Sequence, residues 1–150
     1  MTDIMELFQN YKNDVYRLAV SYTHSIQEAE DVCQTVFLKL MEQKSITPGK
    51  EKAWLLQVTA NQCKSLLRSA RWRKTEPLGE EAVSFDKQEY EDIWAAVMKL
   101  KPGYRAVIYL YYCEEYSTKE IAKLLKIKDS AVTTRLSRAR QILKEELKEV

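Results

Sequence analysis

The chain has 150 residues, enough for one ordinary domain or for two small ones that each bury a modest core. Its 24 Lys and Arg against 22 Asp and Glu leave a net charge of +2, so overall charge singles out no class of partner. With 31% charged residues and no run near the roughly 18 apolar residues of a membrane span, direct membrane insertion is not expected. The segment Met1 to Glu6 carries acids where a secretory signal carries positive charge, so a cytoplasmic location is expected. Cys33, Cys63 and Cys113 are odd in number and widely spaced. They give neither a disulfide framework nor a Cys-x-x-Cys metal motif, and all three read as buried apolar side chains rather than reactive thiols. His24 is the one histidine, so a histidine metal site or a His-dependent triad has no partners to draw on. No cofactor is expected.

In chain order, Ile4, Leu7, Phe8, Tyr11, Val15, Leu18, Ala19 and Tyr22 recur at helical spacing and predict a first helix with one buried stripe. Ser25 stands three residues before Glu28, the capping-box pattern, and opens a second helix that turns Ala29, Val32, Cys33, Val36, Leu40 and Met41 inward. After a loop over Lys44 to Lys50, Trp54, Leu55, Val58, Cys63, Leu66, Leu67 and Ala70 form the apolar side of a long third helix. On its other side Gln57, Asn61, Lys64, Arg68 and Arg71 make a ridge that changes from amide to basic. From Asn61 to Lys74 the basic residues Lys64, Arg68, Arg71, Arg73 and Lys74 meet no acid. The sign then reverses: seven acids from Glu76 to Asp92 oppose Lys87, and Pro77 and Gly79 lie among them. Residues 75–89 therefore read as an acidic linker between two helical domains, 1–74 and 90–150.

Beyond the linker, Ile93, Trp94, Val97, Met98 and Leu100 predict a helix that stops before Pro102. Another is expected from Tyr104 to Tyr112. Ser117 and Glu120 repeat the capping box ahead of Ile121, Leu124 and Leu125, and a turn at Lys126 to Lys128 leads into a last helix through Val132, Leu136, Ala139, Ile142 and Leu143. This is a helix-turn-helix in an all-α chain. The segment Lys119 to Arg140 holds seven basic residues against Glu120 and Asp129. A helix carrying Thr133, Thr134, Arg135, Ser137, Arg138 and Arg140 suits the DNA major groove, and the same pattern also suits a solvated helical hairpin. The ridge on the third helix is open in the same way, between a nucleic-acid surface and an ordinary solvated face. Trp72 beside it can stack on an unpaired base or cover a core edge.

Four blocks carry a family resemblance. They are Ala29 to Leu40 (AEDVCQTVFLKL), Ala53-Trp54-Leu55 with Asn61, Tyr116 to Ala122 (YSTKEIA), and Val132 to Arg140 (VTTRLSRAR). In this order, over nearly the whole chain, they resemble the sigma-70 family of bacterial transcription initiation factors, in its short extracytoplasmic-function (ECF) group with regions 2 and 4 only. The resemblance implies a subunit that binds core RNA polymerase and directs it to a subset of promoters, with no catalytic residue of its own. It implies that Asp31, Gln34 and Thr35 dock on the clamp helices of the β′ subunit, with Phe37 on the packed side, and that region 4 meets the β flap. The loop Lys44 to Lys52 and the start of the third helix would capture an unstacked base of the minus-ten element at Asn61. Lys64, Arg68, Arg71 and Arg73 would follow the backbone of the opening promoter DNA. Thr133, Thr134 and Ser137 would face bases of the minus-thirty-five element, with Lys119, Arg135 and Arg138 on phosphates. An anti-sigma factor is the expected regulatory partner. The chain departs from the family at Lys126, usually glycine, at Lys128, often a capping serine, and at Thr133, often Lys or Arg. Asp129 or Ser130 is expected to take over the cap.

Two rival readings accompany this one. A stand-alone helix-turn-helix regulator would carry a ligand pocket or dimerisation element in its first half instead of the Asp31 to Leu40 and Trp54 to Asn61 blocks. A degenerate sigma-like protein would bind polymerase without reading promoters, as the departures between Lys126 and Thr133 allow.

Overall fold

The computed structural model describes residues 4–43, 46–69 and 91–148, all helices and short connections with no strand among them. The chain divides into two compact units, Met1–Gly79 and Glu80–Val150. The first holds α1 (Ile4–Thr23), α2 (Ile26–Glu42) and α3 (Glu51–Ser69), each packed on the other two. The second holds α4 (Glu91–Met98), α5 (Pro102–Ile108) continuing into a π-helical turn (Tyr109–Cys113), α6 (Thr118–Leu125) and α7 (Asp129–Lys148). The expected acidic linker and the residues Ala70 to Lys74, with Arg71, Trp72 and Arg73, lie outside the described residues.

In the first unit Val15, Leu18, Ala29, Val32, Val36, Leu40, Leu55, Leu56, Ala60 and Cys63 are buried together. Burial on this scale supplies the main favourable free energy, at about 25 cal/mol for each Å² of apolar surface removed from water. Phe8 and Phe37 tie α1 to α2, their ring centroids 4.6 Å apart and tilted by 47°. Asp14 of α1 meets Lys52 of α3 at 3.7 Å. Two expectations need correction here. Met41 is 56% exposed, because it is turned by about 100–140° around α2 from the buried Ala29, Val36 and Leu40. On α3 the core face is Leu55, Leu56, Thr59, Ala60 and Cys63, while Trp54, Val58, Leu66 and Leu67 are half-buried. Thr59 can join that face because its hydroxyl donates to the Leu55 carbonyl at 2.7 Å, which removes the cost of burying it.

The capping box expected at Ser25 forms by half. The Glu28 amide donates to Ser25 Oγ at 3.2 Å, but the Ser25 amide donates to Thr23 Oγ1 at 3.3 Å. Thr23 reaches that place first because His24 turns the chain with φ at +51°. At Ser117 the whole box is present: the Ser117 amide donates to Glu120 Oε1 at 2.9 Å and the Glu120 amide to Ser117 Oγ at 3.1 Å. These bonds with Ser117 hold the Glu120 carboxyl below its ordinary range.

In the second unit the core is built from Val97, Leu100, Ala106, Val107, Leu110, Ile121, Leu125, Val132, Leu136 and Ala139. Ile93 and Ile142, expected on the inward faces of α4 and α7, are each 40% exposed. The α5 helix starts at Pro102 rather than Tyr104. Proline ends the preceding helix and also suits the first helical position, where its missing N–H would find no partner. The same helix ends not as α but as a π turn over Tyr109–Cys113. Arg105 lies within this core, 6% exposed, and its Nη1 donates to the Leu100 carbonyl at the end of the α4 segment. Burial lowers its pKa to about 10.

The turn between α6 and α7 places Lys126 in the left-handed region, at φ 58° and ψ 45°. A side chain there costs about 1 kcal/mol against glycine. Lys126→Gly is therefore expected to stabilise the second unit by about 0.5–1 kcal/mol, read as a higher urea midpoint with unchanged slope. An unchanged or lower midpoint would mean that the lysine is not strained. The cap of α7 also differs from expectation. The Lys128 carbonyl accepts the amides of Ala131 and Val132 at 3.0 and 3.2 Å, so the helix begins after Lys128 and Asp129 occupies its first turn. An acid there faces the positive end of the helix dipole.

Candidate polymerase and nucleic-acid interfaces

On α2, Asp31 and Gln34 are exposed, and Thr35 is half-buried with its hydroxyl donating to the Asp31 carbonyl at 3.1 Å. A helix turns by about 100° per residue, so Asp31, Gln34, Leu38 and Met41, spaced by three, four and three, share one solvent-facing side. Leu38 is 60% exposed. Leu38 and Met41 are the side chains that sequence reasoning missed. Their spacing from Asp31 was the available signal, but apolar residues in a helix are ordinarily assigned to its core.

The α3 ridge stands opposite the buried arc of Leu55, Thr59 and Cys63. Gln57, Asn61 and Lys64 are half-buried on it and Arg68 is exposed. Trp54, three residues before Gln57 and seven before Asn61, lies on this side rather than in the core. The arrangement offers two amides and an indole face, followed by cations, along one helix. Amides suit the edge of an unpaired base, an aromatic face suits stacking, and the cations suit phosphates. Arg71 and Arg73 fall outside the described residues.

On α7, Thr133, Thr134, Ser137 and Arg138 are exposed on one side, with Val132, Leu136 and Ala139 buried on the other. Lys119 is exposed in the first turn of α6, and Lys123, Lys126 and Lys128 are exposed between it and α7. Arg135 does not join this row. It is half-buried, and its guanidinium lies over the start of α5, where a Cβ on Gly103 would come within 3.0 Å of Nη1. Arg140, read in the sequence only as one more cation, is held by aromatic side chains. Its Nε donates to Tyr112 Oη at 2.7 Å, and its guanidinium lies 5.3 and 5.6 Å from the ring centroids of Tyr111 and Tyr112. Tyr112 raises its pKa through that hydrogen bond. Among the described residues no group of His, Cys, Asp and Glu could hold a metal ion, and no helix is long and apolar enough to cross a membrane.

Residues 7–73 match the family described as sigma-70 region 2, and residues 90–143 match that described as sigma-70, region 4. The ECF RNA polymerase sigma factor SigM of Bacillus subtilis is 32% identical over 151 residues, which cover 94% of this chain and 93% of SigM. The chain belongs to the ECF sigma factors. The ECF sigma factor SigE of Mycolicibacterium smegmatis is 29% identical over 155 residues, 95% of this chain. The chain spans 60% of the length of that relative. Among solved structures, the sigma factor RpoE of Bartonella quintana in complex with the anti-sigma factor NepR matches with a TM-score of 0.82 at 22% identity. That match covers 99% of this chain and 98% of RpoE. CnrH in complex with the cytosolic domain of CnrY matches with a TM-score of 0.64 at 23% identity, over 97% and 88% of the two chains. Both likenesses are likenesses of fold. The chain is thus an RNA polymerase sigma factor, of the class that directs transcription initiation. A stand-alone helix-turn-helix regulator is not favoured, since region 2 accounts for the first half.

Proposed function

We propose that this ECF sigma factor uses three helical faces in turn. Asp31, Gln34 and Thr35 of α2, extended by Leu38 and Met41, dock on the clamp helices of the polymerase β′ subunit. Asn61 hydrogen-bonds a flipped base of the minus-ten element, and Lys64, Arg68, Arg71 and Arg73 follow the melted strand. The exposed side of α7, with Thr133, Thr134, Ser137 and Arg138, reads the minus-thirty-five element while Lys119 contacts a phosphate; Arg135 would have to leave Gly103 to take part. The functional boundaries follow as 1–74, 75–89 and 90–150, with region 4 also on the β flap.

The observation that carries this reading is that residues of both matched regions turn charged, amide or hydroxyl side chains to solvent on the sides of α2, α3 and α7 opposite their cores. Opening of promoter DNA then needs no catalytic group, because tighter binding to separated strands shifts the equilibrium. The factor acts where the polymerase is, in the cytoplasm. An anti-sigma factor is a fitting regulator, given that RpoE was solved with one.

Run-off transcription with core polymerase over a genomic promoter library tests the whole reading. Transcripts that start downstream of one shared pair of motifs only when the chain is present are expected. Core binding without a specific start would favour the degenerate sigma-like protein instead. For region 4, Arg138→Ala is expected to weaken binding to the upstream element similarly for all sequences and to lower the salt slope by about one. A mutant slope equal to that of the wild type would remove Arg138 from the phosphate contacts.

A further inference from the structure

Thr133 stands where the family often carries a cation, and the structure shows what it can offer instead. It is exposed one turn into α7, and its hydroxyl donates to the Asp129 carbonyl at 3.1 Å. The hydroxyl proton is therefore committed within the helix, and the γ-methyl group is the apolar part left for a partner. Its neighbours along the same ridge are Ser130 and Ser137, three residues before and four after, both exposed and both short. From Ser130 to Ser137 no long side chain on that ridge keeps a base-pair edge from close approach, and of the long residues one turn further on, Arg140 and Gln141, Arg140 is drawn to Tyr112. The cations of this surface, Lys126, Lys128 and Arg138, flank the row of hydroxyl residues rather than interrupt it.

In the major groove the one apolar feature of any base pair is the 5-methyl group of thymine, and a threonine methyl is among the groups that contact it. We infer that Thr133 is a specificity-determining residue that selects thymine, on either strand, at one position of the upstream promoter element through methyl-to-methyl contact. The inference rests on the reading of α7 as the helix that enters the groove. It assigns Thr133 a discrimination that neither lysine nor arginine provides there, so the element differs at this base pair from one read by a cation.

The test uses the full chain assembled with core RNA polymerase and duplexes that this holoenzyme selects from a random library. Each thymine in the upstream half of the selected duplex is replaced in turn by deoxyuridine, which removes only the methyl group. One replacement is expected to weaken wild-type binding about fourfold, the worth of one buried methyl group. Thr133→Val, which keeps the methyl and loses the hydroxyl, should retain that response. Thr133→Ser, which keeps the hydroxyl and loses the methyl, should bind the unsubstituted duplex about fourfold more weakly and ignore the deoxyuridine. Wild-type indifference to every replacement, or a Ser variant that still senses the same one, would overturn the inference. So would a Val variant as weak as the Ser variant, because the hydroxyl would then be the contact. If the wild-type holoenzyme selects duplexes without any upstream motif, α7 is not the reader, and the parent reading falls together with this one.

Discussion

Leu38→Asp is expected to weaken binding to core polymerase at least tenfold while moving the melting temperature of the chain little. At 60% exposure Leu38 contributes little to the core, and substitutions at such positions change stability by about 0.5 kcal/mol or less. At a docking surface the balance reverses. Burying a leucine side chain against a partner is worth about 1.5–3 kcal/mol, and an aspartate in its place adds the desolvation of a charge. Asp31→Arg on the same face should act in the same direction by reversing the charge offered to the partner, and through the association rate as much as the affinity. Titration of labelled core polymerase with each variant, beside a thermal melt, separates the two effects. Wild-type affinity in both variants would remove α2 as the docking helix.

The second large effect concerns Arg105, which no functional motif contains. Arg105→Ala should destabilise the second unit by about 3 kcal/mol, since it deletes a buried side chain and leaves the Leu100 carbonyl without that donor. Hydrogen exchange of the full chain reads this directly. Amides of α6 and α7 should exchange about a hundredfold faster, whereas those of α1 to α3, which belong to a separate core, should keep their rates. Unchanged exchange in α6 and α7 would show that the connection from α4 to α5 does not depend on this residue. On the proposed role of α7, the same variant should also lose upstream discrimination.

The sequence made the helices legible wherever one strong signal acted alone. Ser117 and Glu120 form the box their spacing announces because nothing nearby competes for the two amides. At Ser25 the same spacing gives half a box because Thr23, within two residues, offers a hydroxyl first. Pro102 was legible as a stop, while its second role as the first residue of α5 needs the next helix to be seen. The core of α3 was misplaced by counting apolar residues. Thr59 is polar but satisfied inside, and Trp54 is apolar but sits on the ridge. At the candidate sites, position along the chain identified exposed residues on α2 and α7, yet it grouped Arg135 with Arg138. Side chains three residues apart on a helix lie only about 60° from each other, so spacing alone puts Arg135 beside Arg138, and it is the packing of α5 against α7 that draws the Arg135 guanidinium over Gly103. Likewise the aromatic hold on Arg140 requires Tyr112, distant in sequence, to be brought beside it.

The three cysteines differ in a way that bears on how the protein can be handled. Cys63 is buried and Cys33 half-buried, and burial pushes both thiols up, Cys33 to about 11. Cys113 departs from the expectation that all three cysteines are buried: it stands at the end of the π turn, where it is exposed. Thiol reactions run through the thiolate and need access, so at neutral pH a maleimide dye is directed to Cys113. The natural chain thus carries its own single attachment point for a fluorophore on the region 4 unit, and fluorescence studies of initiation can start from the unmutated protein.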